Sequence, residues 1–149
     1  MLSVDYVLGL VDGEGSFAVH LSSSPKRRAR VEPRFCLKLK AEDKELLHEL
    51  QSFFGCGKVY IQRDHRPSHS LCYRFEVSNR RELWENIIPF FEQHPLRSPS
   101  RRRDFVLFRQ IMELIMRGAH LTEDGLEEIG RLAAQMHQGS PYAGNPHVR

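Results

Sequence analysis

The chain has 149 residues, enough for one domain with a buried core and too few for two domains of ordinary size. Its apolar runs are far shorter than the roughly 20 residues needed to cross a bilayer, and no signal-peptide pattern opens the sequence. We therefore expect a soluble, intracellular protein with no membrane partner. Residues 1–138 are expected to form a single domain, followed by a flexible tail over residues 139–149.

The formal net charge is only +3, but the charges are unevenly distributed. Seven basic residues and one acid lie between Lys26 and Lys40, and a second basic cluster follows at residues 97–103. Acids gather instead at residues 123–128. This polarity is typical of a protein with one face for a polyanion such as nucleic acid, although a solvated surface would show similar runs.

The three cysteines, Cys36, Cys56 and Cys72, form no Cys-x-x-Cys pair, so the sequence predicts neither a disulfide framework nor a zinc knuckle. This usage favours a reducing compartment. His65 and His69, together with Cys72 and Cys56, offer an alternative zinc site, but their spacing matches no common finger.

The first half of the chain alternates helical and strand patterns. A helix capped by Ser3 is predicted over residues 3–12, ending at Gly13 or Gly15. Strands over 16–21 and 34–40 form a hairpin with a long, basic loop, and an amphipathic helix covers 42–55. Strands over 58–63 and 71–78 form a second hairpin.

The second half is helical. Asn79 and Glu82 form a capping-box pattern at the start of a helix that Pro89 interrupts. Further helices are predicted over 100–118 and, capped by Thr122, over 122–138. The fold class is therefore α+β, with element order α-β-β-α-β-β-α and a four-stranded antiparallel sheet backed by helices. Each hairpin has one apolar and one polar face, and the polar face is available to a ligand.

The stretch VLGLVDGEG, residues 7–15, places two carboxylates at the end of the first helix. Helix carbonyls are partly negative there, so Asp12 and Glu14 need a positive partner. With the Gly13 carbonyl they form an all-oxygen cluster that suits Mg²⁺, although Asp12 could instead bond to backbone amides in a turn. Gly9 and Gly13 share a helix face, where an identical helix could approach closely and bring two copies of Glu14 together.

Residues 8–15 resemble the signature of the LAGLIDADG homing endonucleases, and residues 33–59 and 89–108 are similar to later blocks of that family. About three-quarters of the chain takes part. With one copy of the motif visible, the resemblance implies the single-motif, homodimeric type, whose motif helices form the interface. It also implies a saddle-shaped sheet in the DNA major groove and cleavage of both strands of a long, nearly palindromic site.

The resemblance carries over to individual residues. Glu14 matches the acid that ligates the metal, the Gly13 carbonyl matches the second protein ligand, and Asp12 matches a structural residue that we expect to finish the helix. Glutamate replaces the more common aspartate at position 14. The implied interface residues are Leu8, Gly9, Asp12 and Gly13.

Two positions depart from the family pattern. Ala41 stands where a glutamine usually orders active-site water, which leaves Lys40 or Glu42 to substitute. The basic residue that supports transition-state charge falls within residues 100–103, and Arg101 is our choice, although arginine is a poor proton donor.

The DNA contacts are predicted from strand alternation and loop charge, and a one-residue register slip would invert the strand faces. Base reading is assigned to His20, Arg34, Cys36, Lys38 and Lys40 on the first hairpin, and to Tyr60, Gln62, Tyr73, Arg74 and Glu76 on the second. Phosphate contacts are assigned to Lys26, Arg27, Arg28, Arg30, Arg63 and Arg66.

The predicted function is a metal-dependent, sequence-specific DNA endonuclease. Its cofactor is expected to be Mg²⁺, with Mn²⁺ as a substitute and Ca²⁺ binding without supporting cleavage. The alternative is a catalytically silent nucleic-acid binder, such as a maturase of intron RNA. Retention of Glu14 favours cleavage, whereas Ala41 in place of glutamine favours the binder.

Overall fold

The computed structural model describes residues 1–24, 27–62 and 71–137, and its elements follow the predicted order. The first half contains α1 (Val4–Glu14), β1 (Gly15–Ser24), β2 (Arg27–Lys40), a 3-10 turn (Ala41–Asp43), α2 (Lys44–Phe54), β3 (Lys58–Gln62) and β4 (Cys72–Val77). The second half contains α3 (Arg80–Glu82), a π-helical turn (Leu83–Ile87), α4 (Ile88–Gln93), α5 (Pro99–Met116), a 3-10 turn (Ala119–Leu121) and α6 (Glu123–Gln135). The predicted tail lies outside the described residues.

The four strands form one antiparallel sheet in the order β1-β2-β4-β3, which confirms the predicted α+β class. The long loop predicted between the first two strands is wrong. β1 continues to Ser24 and β2 begins at Arg27, and these two residues pair across an irregularity after Ser22. Pro33 can lie within β2 because β4 pairs with β2 only from Phe35 onward.

The inner face of the sheet packs on the helices through phenylalanine rings. Phe17 on β1 is fully buried, and its ring centroid lies 5.1–5.5 Å from those of Phe35, Phe91, Phe105 and Phe108. These contacts join β1 and β2 to α4 and α5. The predicted apolar stripe of α5 is buried in the same core, so the opposite face of the sheet is left uncovered by these helices.

The predicted helix signals hold. Ser3 Oγ accepts a hydrogen bond from the Tyr6 amide, and the side chains of Asn79 and Thr122 cap their helices in the same way. The break expected at Pro89 takes the form of the π-helical turn over Leu83–Ile87, after which the α-helix resumes. Proline lacks the N–H that would bond to the carbonyl four residues earlier, so the hydrogen-bond ladder shifts upstream of it.

The end of α6 is tied to the start of α5 through Asp104, the one buried charged residue in the described part of the chain. The His137 amide donates to Asp104 Oδ1 over 2.8 Å, and His137 Nδ1 lies 2.9 Å from Oδ2. Burial raises the pKa of Asp104, but the hydrogen bonds and charge of His137 outweigh it and hold the pKa below the ordinary 3.8.

Candidate active site and nucleic-acid interface

Glu14 is the last residue of α1, and its side chain is exposed where the helix passes directly into β1. The next residue, Gly15, ends the helix by donating its N–H to the Val11 carbonyl. A Cβ at position 15 would lie 2.6 Å from Val11 Cγ1 and 2.8 Å from Val11 O, so only glycine fits this junction. The tight turn from helix to strand therefore presents Glu14 at the end of the sheet.

Asp12, two residues before Glu14, makes structural contacts with its carboxylate. Its Oδ2 accepts from the Arg97 amide and its Oδ1 from the Ser98 amide, each over 3.1 Å. Both carboxylate oxygens are thus used to hold the segment that leads into α5. The expected structural role agrees with these contacts, but Asp12 secures the start of α5 instead of finishing its own helix.

The residues around Glu14 suit a hard divalent cation that takes most of its ligands from solvent or substrate. In residues 1–24, 27–62 and 71–137, no three or more His, Cys, Asp or Glu side chains cluster closely enough to hold a metal. One free carboxylate and helix-end carbonyls such as that of Gly13 still give an all-oxygen donor set. Mg²⁺ is commonly held by one or two carboxylates together with water and phosphate, whereas a site built only from protein ligands needs more side chains.

Arg101 lies in the first turn of α5, whose start Asp12 holds. Its amide donates to Ser98 Oγ over 3.4 Å, so the N-cap orients this turn. The guanidinium Nε is buried and has no hydrogen-bond partner in the described part of the chain. Asp12 thereby links the helix that carries Glu14 to the helix that carries Arg101.

Lys38 and Lys40 lie at the same end of the sheet as Glu14. Gly15 pairs with Leu37, so the last residues of β2 run beyond the start of β1, alongside the end of α1. Both lysines are exposed. Ala41 begins the following 3-10 turn and donates its amide to the Leu71 carbonyl. Its side chain is only a methyl group, at the position where the resemblance implies glutamine.

The outer face of the sheet carries the polar side chains that alternation predicted. The register aligns Cys36 with Glu76 and Lys58, Lys38 with Arg74 and Tyr60, and Lys40 with Cys72 and Gln62. On the first hairpin, His20 pairs with Glu32, and Arg34 with Ala18. Among the described residues of this face, lysine and arginine outnumber acids, so the face suits a polyanion.

A cluster around Arg74 lies near the middle of this face. Arg74 Nη2 donates to Cys36 Sγ over 3.0 Å and lies 3.3 Å from Glu76 Oε1. Burial raises the pKa of the Cys36 thiol although Arg74 opposes it, so the thiol remains protonated at neutral pH. Burial also raises the pKa of Tyr60, where Glu76 adds to the shift and Arg74 opposes it.

Two predicted base-reading residues are placed differently from the expectation. Tyr73 pairs with Leu39 and Ile61 and packs against the core, so the prediction that it faces outward is wrong. Cys36 does point outward, but it is only 9% exposed because Arg74 lies over it. Lys58 was missed, although alternation from Tyr60 would have placed it on the outer face.

Several predicted contacts cannot be placed. Lys26, Arg63 and Arg66 lie outside the described residues, as do the side chains of Arg27, Arg28 and Arg30. The same holds for two of the alternative zinc ligands, His65 and His69. A third, Cys56, is buried in the core, and burial raises its pKa to about 11.

The predicted interface face of α1 is open. Gly9 and Gly13 are exposed, and a Cβ added at either would meet nothing within 4 Å. Leu8 is half-buried and packs partly against the core of its own chain. Helix propensity alone would favour alanine at the two glycine positions, so the missing side chains require another reason.

Among the helices of the described residues, none combines the length and apolar character that a membrane span requires.

Comparison with known proteins gives a consistent result. The model of the LAGLIDADG endonuclease family matches residues 7–112. The Neurospora crassa protein "Probable intron-encoded endonuclease 2" is 33% identical over 140 residues, which are 93% of this chain and 30% of that protein. The chain thus spans less than a third of this curated relative.

Solved structures match over nearly the whole chain. The homing endonuclease I-TnaI is 36% identical with a TM-score of 0.82, and the match covers 93% of this chain and 90% of that one. I-SmaMI, solved bound to uncleaved DNA in the presence of calcium ions, is 30% identical with a TM-score of 0.82, over 93% of this chain and 46% of that chain. From its motif, fold and relatives, the chain belongs to the LAGLIDADG endonuclease family.

Proposed function

We propose that this protein is a sequence-specific DNA endonuclease that hydrolyses phosphodiester bonds with the help of a divalent metal. The observation that carries the proposal is the exposed Glu14 carboxylate at the end of α1, beside the basic end of the sheet. An acid there would weaken phosphate binding unless a cation bridged the two. The DNA-bound structure of I-SmaMI and the name of the Neurospora crassa relative support the same activity.

DNA binding is assigned to the outer face of the sheet. Lys38 and Lys40 are exposed and form no ion pair within the described residues, so they are available to phosphate oxygens. His20 and Arg34 lie on the same face further along the first hairpin. Phosphate contacts fix the register of a protein on duplex DNA, whereas base edges carry sequence information.

The proposed cofactor is Mg²⁺, held by the Glu14 carboxylate and the Gly13 carbonyl. When bound, such an ion activates water and stabilises the departing oxygen. Mn²⁺ is expected to substitute, and Ca²⁺ to bind without supporting cleavage. The calcium ions in the I-SmaMI complex with uncleaved DNA support the use of a divalent cation.

The other proposed contributions come from two basic residues. Arg101 stabilises negative charge on the phosphate in the transition state, and it remains charged throughout because arginine does not release its proton near neutral pH. Lys40 takes the position beside Ala41 and orients water through its ammonium group. Asp12 holds the segment before α5 in place and touches no reacting atom.

Cleavage of both strands requires two active sites, which a homodimer would provide. We assign the interface to the open face of α1, with Gly9 and Gly13 at its centre and Leu8 and Asp12 beside them. A two-fold axis through this face would match a nearly palindromic DNA site. The exposed glycines support close approach of two helix backbones.

Gly9→Ala tests this interface. In an isolated helix the change stabilises by roughly 0.5–1 kcal/mol, so a weaker dimer in sedimentation would identify Gly9 as a contact. Gly130→Ala on α6 is the matched control, because its Cβ would meet only Leu21 Cδ1 at 3.8 Å. A wild-type chain that stays monomeric on DNA would contradict the homodimer.

The central experiment is cleavage of a randomised duplex DNA library with Mg²⁺. We expect the wild type to cut a defined site and Glu14→Gln to lose cleavage by about 100-fold or more while still binding the site. Glu127→Gln, an exposed acid on α6, is the matched control. Equal cutting by Glu14→Gln and the wild type would eliminate the assigned role of Glu14.

The second candidate is a silent nucleic-acid binder acting on intron RNA. Ala41 favours it, because its methyl group cannot order water as glutamine does. Binding of structured RNA without cleavage of any duplex in the library would support this function over the first.

A further inference from the structure

Arg74 is held in one orientation on a surface where long cationic side chains usually extend into solvent. It lies on β4, a central strand of the sheet, and it is paired with Lys38 on one side and with Tyr60 on the other. Its side chain is only 22% exposed, because Nη2 contacts both Cys36 Sγ and Glu76 Oε1. The rotamer entropy of this arginine has therefore been lost on folding, before any ligand arrives.

The cluster also leaves polar atoms without a hydrogen bond, although Glu76 Oε1 is held by ion pairs to Arg74 and Arg34. Arg74 Nε, Glu76 Oε1 and Gln62 Oε1 are buried and make no hydrogen bond, and only two other side-chain atoms in the described part of the chain share this condition. All three belong to the outer face of the second hairpin. These three atoms are themselves covered, so a ligand would reach the cluster through the exposed parts of the Arg74 and Glu76 side chains, which are 22% and 16% exposed.

A phosphate group does not fit this arrangement well. Glu76 is only 16% exposed and lies 3.3 Å from Arg74 Nη2 and 3.9 Å from Arg34 Nη1, so it brings negative charge to the position a phosphate would occupy. Lys38 and Lys40, which have no ion pairs within the described residues, serve phosphate better. A fixed donor beside a fixed acceptor instead matches the edge of a base pair.

We propose that Arg74 and Glu76 act as a unit that reads one G·C base pair in each half of the DNA site; this inference rests on the proposed DNA-binding function. In the major groove, guanine presents the acceptors O6 and N7, and cytosine presents the N4 amino donor beside them. Arg74 donates to guanine and Glu76 accepts from cytosine. Cys36 is a positioning residue, since it touches Arg74 and lies beneath it.

The test is selection from a duplex DNA library by the full-length chain in CaCl₂, followed by affinity measurements on the selected site and its single-base variants. Arg74→Lys keeps the charge but loses the planar fork. We expect it to lose preference for G·C at one position per half-site, by roughly 10- to 100-fold, with the other positions unchanged. Glu76→Gln should relax the preference at the same position and no other.

The matched control is Arg81→Lys on α3, where Arg81 is 80% exposed and pairs with Glu85. It should leave every position unchanged. Equal weakening of all sequences by Arg74→Lys would show a phosphate contact and overturn the inference. An unchanged selected sequence in both variants would also overturn it. If the wild type itself selects no sequence, the proposed function fails instead.

Discussion

The two faces of the sheet differ in how completely the chain satisfies them. On the inner face, Phe17, Phe35, Leu37, Phe75 and Val77 are at most 1% exposed and packed against helices. On the outer face, charged side chains form ion pairs with one another. Three buried polar atoms there make no hydrogen bond within the described residues, and one of them, Glu76 Oε1, is ion-paired. The difference indicates that the inner face supplies most of the stability of the domain, whereas the outer face is the one that we assign to DNA.

The largest expected effect is on the inner face. Phe17→Ala should lower the free energy of unfolding by about 3–5 kcal/mol, because Phe17 contacts four other rings and its removal leaves a cavity. Equilibrium urea unfolding at fixed protein concentration measures the change. Tyr60→Ala, an aromatic on the outer face, should cost less than about 1 kcal/mol. Equal losses in the two variants would erase the distinction between the faces.

Gly15→Ala, also on the inner face, should cost about 1–3 kcal/mol because the new methyl group would overlap the Val11 carbonyl and side chain. Gly130→Ala should have the opposite sign and stabilise by roughly 0.5–1 kcal/mol, since its methyl group fits the helix surface. Thermal unfolding of both variants checks the pair. A stable Gly15→Ala protein would show that the junction before β1 can relax.

Asp104→Asn should cost about 1–2 kcal/mol at neutral pH, since it removes the charged acceptor that holds His137 after the end of α6. The folded pKa of Asp104 is lower than the unfolded one, so its stabilisation is present above pH ~4 and lost as pH falls through the folded pKa. Urea unfolding between pH 7 and pH 3 should therefore decline less steeply for Asp104→Asn than for the wild type. The exposed Glu127→Gln is the control, and parallel curves for Asp104→Asn and the wild type would contradict the assignment.

The smallest effect on stability is expected for Lys38→Gln on the outer face, within about 0.5 kcal/mol. Its effect on DNA binding should appear in the salt dependence, where the slope of log K against log salt concentration becomes shallower by about one. Titration of duplex DNA at several salt concentrations measures this slope. Arg131→Gln, at a 72% exposed position on α6, should leave it unchanged.

Local sequence signals were sufficient for most of the fold. The caps at Ser3, Asn79 and Thr122 and the apolar stripe of α5 depend on neighbouring residues, and the structure confirms them. The extended first hairpin was missed because a segment rich in serine and arginine, with Pro33 inside it, shows no alternation even though its backbone pairs. Tyr73 was misplaced because it was assigned to the same face as its neighbour Arg74, although alternation puts consecutive strand residues on opposite faces.

The site was less predictable because its decisive contacts join distant residues. The motif singled out Glu14, but that Asp12 binds the amides of Arg97 and Ser98 depends on how α1 and α5 pack. The burial of Cys36 likewise depends on Arg74, 38 residues away. Strand alternation places each side chain on a face, but it does not show which neighbouring side chains will cover it.

The contacts of Asp12 span 85 and 86 residues, so they can form only after most of the chain exists. A nascent chain that ends before residue 97 already contains Glu14 and all four strands of the sheet. It lacks Arg101 and the two backbone amides, those of Arg97 and Ser98, that the Asp12 carboxylate binds. The end of α1 and the start of α5 can therefore be joined only late in synthesis, after every strand of the sheet has been made.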